Sequence, residues 1–174
     1  MRQTLRLHPD SHCAAATRIE ADVARSRPGN LILSFVVSGR ISDLRWPRVV
    51  APARADELWR HSCFEAFIRP STGSAYYEFN FSPSTQWAAY QFSSYRSGMR
   101  DATEIAAPRI EVRSTAESYT LQASLELDGL SPPWRLGLSA VLEETNGHKS
   151  YWALAHPPGK ADFHHADCFA LELS

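Results

Sequence analysis

The sequence predicts an all-β fold, an antiparallel β-sandwich, and three observations carry that prediction. Apolar and polar residues alternate with period two through most of the 174 residues. Turn-forming residues punctuate the alternating stretches, and almost no segment has the spacing of an amphipathic helix. Short strands closed by such turns bury their apolar faces by packing sheet against sheet.

Taken in order, TRIEADVARS places Ile19, Ala21 and Val23 on one face, and NLILSFVVSG is apolar enough for an inner strand ending at Gly39. SDLRWPRVVAPARADE has two prolines and mixed charge, so it reads as a long connection, with DELWRH as one helical turn at its end. SCFEAFIR, YYEFNFS and QWAAYQF then alternate clearly. After a polar loop around Gly98 come PRIEVRS, SYTLQASLEL, WRLGLSAVLEE, SYWALAH and CFALEL, giving nine or ten strands. Turns are expected at residues 115–118 and at Asp128-Gly129, Pro132-Pro133, Asn146-Gly147 and Pro157-Pro158-Gly159. Asn146-Gly147 is the strongest hairpin signal, because this pair accepts the positive φ of a tight turn.

Core pairing restricts register, since a slip of one residue turns every apolar side chain outward. Placing Phe81 opposite Ala88 puts Phe79 opposite Tyr90, Tyr77 opposite Phe92, Glu78 opposite Gln91 and Ser82 opposite Trp87. For the preceding hairpin the core set is Phe64, Ala66 and Ile68, which leaves Glu65 facing either Glu78 or Asn80. Like charges directly opposed repel, so Glu65 beside Asn80 is the preferred register. The face turned away from this core then carries Cys63, Glu65, Phe67, Glu78, Asn80, Trp87 and Gln91. If Leu136, Leu138, Ala140 and Leu142 face the core, Ser139, Val141 and Glu143 extend the same face, while SYWALAH is ambiguous between Tyr151 and Trp152.

An ordinary wet sheet face scatters lysine, threonine, arginine and glutamate. These three strands contain no lysine and gather acids, amides and aromatic rings instead. Rings stack on sugar faces, while carboxylates and amides pair with hydroxyls, so the mixture suits a small hydroxyl-rich ligand.

At 174 residues with 44% hydrophobic and 21% charged side chains, the chain is expected to form one domain over residues 1–174. A net charge of −1 gives no electrostatic footprint for nucleic acid or an anionic membrane. No apolar run reaches membrane-spanning length, and MRQTLRLHPDSHCAAATRIEADV lacks the continuous apolar segment of a secretory signal. Cys13, Cys63 and Cys168 are too few and scattered for a disulfide framework, so a cytoplasmic setting is expected. Nothing in the pattern speaks to oligomeric state.

The string LWRHSCFEAFIRP, with YYEFNFSPSTQWAAYQF, YRSGMR, LGLSAVLEE, SYWALAHPPGKADFHH and CFALEL, resembles a bacterial subgroup of DOMON-like proteins related to family 9 carbohydrate-binding modules. The resemblance implies a sandwich or jelly roll whose concave face holds a sugar or, in some relatives, haem. Trp59 and Glu65-Ala66-Phe67 match the modules' motif, whereas His61 and Ser62 stand where an acid pair is common. It also implies a clamp of two tryptophans, for which Trp59 and Trp152 are candidates and Trp87 a rival. With Trp59 and Trp152 stacking, Glu65, Glu78, Asn80 and Gln91 would hydrogen-bond, Arg60 or Arg96 would balance the acids, and His61, His156 and His164 would line the site.

Three other chemistries compete. His61 and Cys63 on one strand face, with His164, His165 and Cys168, are zinc-ligand types, but no CxxC pair or compact two-histidine motif accompanies them. Haem ligation would need a methionine or histidine pair, and the methionines are Met1 and Met99, the latter in a polar loop. Glu65 and Glu78 could serve as the acid and base of a glycosidase. The expectation is a non-catalytic binding domain for a carbohydrate-like molecule, without a cofactor.

Overall fold

The computed structural model describes residues 1–130 and 132–174. Among them the chain is all-β, with three single-turn 3-10 helices and twelve strands. The strands are β1 (Arg2–Leu7), β2 (Ala16–Ala24), β3 (Asn30–Gly39), β4 (Cys63–Pro70), β5 (Tyr76–Phe81) and β6 (Trp87–Phe92). They continue with β7 (Arg100–Asp101), β8 (Arg109–Ser114), β9 (Ser118–Glu126), β10 (Trp134–Glu143), β11 (Lys149–Ala153) and β12 (Leu171–Leu173). Neighbours run in the order β7-β6-β5-β4-β10-β11-β1-β2-β3-β9-β8, with β12 beside the start of β10, and every strand pairing is antiparallel.

This sheet curls into a half-barrel around its own apolar face. Ile19, Leu33, Phe35 and Leu121 from one half meet Phe64, Ile68, Phe79 and Leu138 from the other in a single buried cluster. The Phe35 and Phe64 rings lie 5.0 Å apart across it. β1, which sequence alternation did not reveal, joins the halves by pairing with β2 on one edge and β11 on the other. Only Leu5 of β1 is buried, so its alternating signal is weak.

The core sets Phe64, Ala66, Ile68 and Leu136, Leu138, Ala140, Leu142 face the core as the alternation requires. Glu65 pairs with Asn80 and Phe67 with Glu78, the register that keeps the two acids from direct opposition. The β10–β11 hairpin turns at Asn146-Gly147, with Gly147 at φ 87°, but closes over residues 144–148 through Glu144 N–H to His148 O (2.8 Å).

The β5–β6 register differs from the expected one by one residue. Phe81 pairs with Trp87, Phe79 with Ala89, Glu78 with Tyr90 and Tyr76 with Phe92. Trp87, Ala89 and Gln91 therefore share the core side with Tyr77, Phe79 and Phe81. Tyr90 and Phe92, read from the sequence as members of that core, face the other way. They are buried nonetheless, in a second apolar cluster with Phe67, Tyr76, Ala88 and Phe169.

That second cluster exists because the C-terminal segment, residues 154–170, lies across the far side of β4–β6. Phe169 packs edge-on against Phe67 and Tyr76, and Phe163 joins from the rim. Gly137 in β10 permits the approach, since a Cβ there would meet Cys168 O at 3.0 Å and Phe67 Cβ at 3.5 Å. No helix among the described residues is long and apolar enough to cross a membrane.

Candidate functional site

A cleft of about 480 Å³ opens on the far side of β4, β5, β6 and β10. Its floor holds Glu65, Phe67, Glu78 and Val141, and its walls are built from Trp59, Tyr90, Phe92, Arg96, Met99, Tyr151 and Phe163, with His164 at the inner end. Strand pleat explains the floor: Glu65 and Phe67 are two apart on β4, and Glu78 pairs directly with Phe67. Two polar loops and the C-terminal segment raise the walls above it.

Trp59 rides on the turn Leu58–Arg60, where the preceding Glu57 adopts a left-handed conformation (φ 57°). An Arg60–Glu57 ion pair (2.7 Å) steadies the turn, and the Arg60 guanidinium lies 5.7 Å from the Trp59 ring centre. Trp59 is 49% exposed, an unusual state for so large an apolar side chain. Across the cleft Arg96, also left-handed (φ 51°), forms two bonds to Asp162 Oδ1 (2.7 and 3.2 Å).

The floor acids are almost completely buried, Glu65 at 4% and Glu78 at 6% exposure. Ser139 Oγ donates to Glu65 Oε2 (3.2 Å) and Asn80 Nδ2 to Glu78 Oε1 (2.8 Å). Burial, then the Glu78 charge, pushes the Glu65 carboxyl up to about 8, with the Ser139 bond pulling back. Burial also raises Glu78, opposed by Asn80 and the Arg96 charge. The pair consequently retains a proton near neutral pH.

His164 sits among the rings of Phe67, Tyr76 and Phe92, at 5.0, 5.8 and 5.0 Å between centres. Tyr76 Oη accepts from Arg96 N–H (3.2 Å) and lies 2.8 Å from His164 Nδ1. With the phenol hydrogen directed at Nδ1, the imidazole hydrogen sits on Nε2, 3.5 Å from Glu78 Oε2. Burial, reinforced by Arg96, lowers His164 to about 4, so it is neutral at pH 7.

No family model matches the chain, and no curated protein proves similar to it. Among solved structures, a "putative carbohydrate-binding protein" from Bacteroides uniformis ATCC 8492 matches with a TM-score of 0.67 at 13% identity. The match covers 97% of this chain and 83% of that one. The likeness is one of fold.

Of the residues singled out in the sequence, Trp59, Glu65, Glu78, Arg96 and His164 line the cleft. Asn80 lies beneath it as a donor to Glu78. Arg60 is at the rim, committed to Glu57. His61, largely exposed, holds Glu143 (Nδ1 to Oε2, 2.7 Å) outside the lining. His156 Nε2–H donates to Arg6 O (2.8 Å) beside His8, also outside it.

Three expected members are turned the wrong way. Trp87 and Gln91 belong to the core side of β6, where Gln91 Nε2 donates to Tyr77 Oη (3.0 Å) and Arg54 covers the Trp87 ring. Trp152 pairs with Ala140 on the core side of β11, its indole N–H bonded to Ser150 Oγ (3.0 Å). Tyr151 stands on the cleft side where the second tryptophan of a clamp was expected.

The zinc-ligand set also disperses. Among the described residues no three His, Cys, Asp or Glu side chains gather as a metal site. Cys63 is fully buried with its thiol pushed well up by burial, Cys168 Sγ lies 3.2 Å from the carbonyls of Ala155 and Asp162, and His165 Nδ1 accepts from Asp167 N–H (3.3 Å). Tyr90, Phe92, Met99, Tyr151, Ala161 and Phe163 line the cleft without having been singled out for it. The first two were assigned to the opposite face, and no local pattern marks Ala161 or Phe163.

Proposed function

We propose that the whole chain is a non-catalytic binding domain for a small, hydroxyl-rich, carbohydrate-like ligand seated in this cleft. One observation carries the reading: two nearly buried carboxyl groups form the floor of a cavity walled by aromatic rings. A sugar ring has apolar faces that pack on Trp59, Tyr90 or Tyr151 and hydroxyls that satisfy Glu65 and Glu78. The cavity volume falls in the usual small-ligand range of roughly 300–1,000 Å³. The fold likeness to a protein described as carbohydrate-binding supports the same direction. A jelly-roll sandwich of the DOMON-like kind, related to family 9 modules, is the family reading consistent with these features, although the clamp would here pair Trp59 with Tyr151.

A second reading, glycoside hydrolysis, draws on the neutral Glu65 beside Glu78, since a proton-bearing carboxyl next to a second acid is a general-acid arrangement. Nitrophenyl glycosides separate the two readings, because only hydrolysis releases nitrophenol. Binding is tested by titrating a panel of mono- and oligosaccharides while following tryptophan fluorescence. A saturable change that disappears in Trp59→Phe is the expected result. A panel silent for every sugar would remove the proposal.

A further inference from the structure

We propose that the cleft selects a ligand carrying an ammonium group, an amino sugar rather than a neutral one, and seats that ammonium between Glu65 and Glu78. This rests on the carbohydrate reading and narrows it by charge. The geometry gives the floor two acids and no free cation. Glu65 faces the cleft with one oxygen held by Ser139, while Oε1 takes no hydrogen bond from any described residue although the side chain is nine-tenths buried. That oxygen opens on the cleft, where a ligand donor can reach it.

The surrounding charges do not supply that donor. Arg96 is committed to Asp162 by two bonds, and Glu143 on neighbouring β10 is held by Arg45 (2.8 Å) and His61. The Tyr90 hydroxyl donates to Asp56 (2.7 Å), so β6 presents a phenol and no charge. Cys63 on β4 and Cys168 on the C-terminal segment remain thiols, and His164 is neutral. Each facing element therefore supplies either an acid or an uncharged group apart from the paired Arg96.

An ammonium answers both features of the cavity. It donates up to three hydrogen bonds to the two carboxyl groups, and its charge is favoured by the aromatic faces of Trp59, Tyr90 and Phe92. Its arrival ionises Glu65, and the displaced proton passes to the buffer. Burial holds that proton in the free protein. An N-acetylated amine has no charge and a single N–H donor, and forfeits the advantage.

The test is calorimetry at pH 6.5 with glucosamine, glucose, N-acetylglucosamine and cyclohexylammonium, each run in phosphate and in MOPS. Glucosamine should bind at least about tenfold more tightly than glucose or N-acetylglucosamine, the factor expected of a charge-assisted pair. Its apparent enthalpy should differ between the buffers in the sense of proton release, and Glu78→Gln or Glu65→Gln should lower glucosamine affinity more than glucose affinity, so that the preference between the two disappears. Equal affinity for the three sugars, or binding without proton release, overturns the ammonium inference and leaves the carbohydrate reading standing. Binding of cyclohexylammonium with none of the sugars keeps the ammonium and removes the carbohydrate. Four silent titrations remove both.

Discussion

Glu65 and His164 face each other's surroundings with opposite pH dependences. Glu65 has an ordinary value of 4.5 and is raised to about 8 in the folded chain, so between those values the native state holds a proton that the unfolded chain has lost. Its contribution to stability is present below pH 4.5 and declines as pH rises toward 8. His164 is lowered from 6.5 to about 4, so in that interval the unfolded chain holds the extra proton and stability falls as pH falls. From pH 6.5 to 8 only the Glu65 effect operates between the two. Melting temperature measured across that interval should fall in the parent protein and fall less in Glu65→Gln, which fixes the floor in its neutral form. Parallel curves would show that Glu65 is not the buried acid described.

At the level of elements, the β5–β6 hairpin shows where sequence pattern reads well and where it stops. β4 and β10 were legible because leucine, phenylalanine and isoleucine occupy one face and acids, serine and cysteine the other. The Glu65–Asn80 pairing followed from core pairing, which left two registers, and from charge repulsion, which chose between them. WAAYQF offers no such contrast: Trp87, Ala89 and Gln91 on one side and Ala88, Tyr90 and Phe92 on the other each include a large aromatic ring, and nearly all of them are buried. Alternation identifies an inside only when one face is wet, and here both are covered. The covering C-terminal segment comes from residues far away in sequence, so no local signal announced it, and the Tyr151–Trp152 ambiguity has the same origin. Substitutions separate the faces. Trp87→Ala should destabilise the fold by about 3–5 kcal/mol as a core truncation, and the milder Trp87→Phe should lower melting temperature while leaving ligand affinity intact. Phe92→Leu, on the cleft side, should alter affinity. Loss of ligand response in Trp87→Phe at unchanged stability would reverse this assignment.

For the molecule as a whole, the curled sheet separates two tasks. One face closes on itself as the main core, with β1 joining its halves, and carries the stability. The other face, over β4–β6 and β10, is roofed only in part by the C-terminal segment, and the unroofed remainder is the cleft. That division explains how nearly buried acids persist beside an opening: the strands that hold Glu65 and Glu78 are fixed from beneath by the core and from above by Phe169 and His164. The all-β class and the principal core could be read from alternation. The enclosure of the site could not, because it depends on which loops meet over the sheet.

The measurement that tests this account most directly is an amide and indole NMR titration with a binding sugar. Ligand should shift the Trp59 indole N–H together with the amides of Glu65, Glu78, Arg96 and His164, and leave β2, β3 and β9 unmoved. Shifts confined to those three strands, or to any surface away from Trp59 and the floor acids, would contradict it.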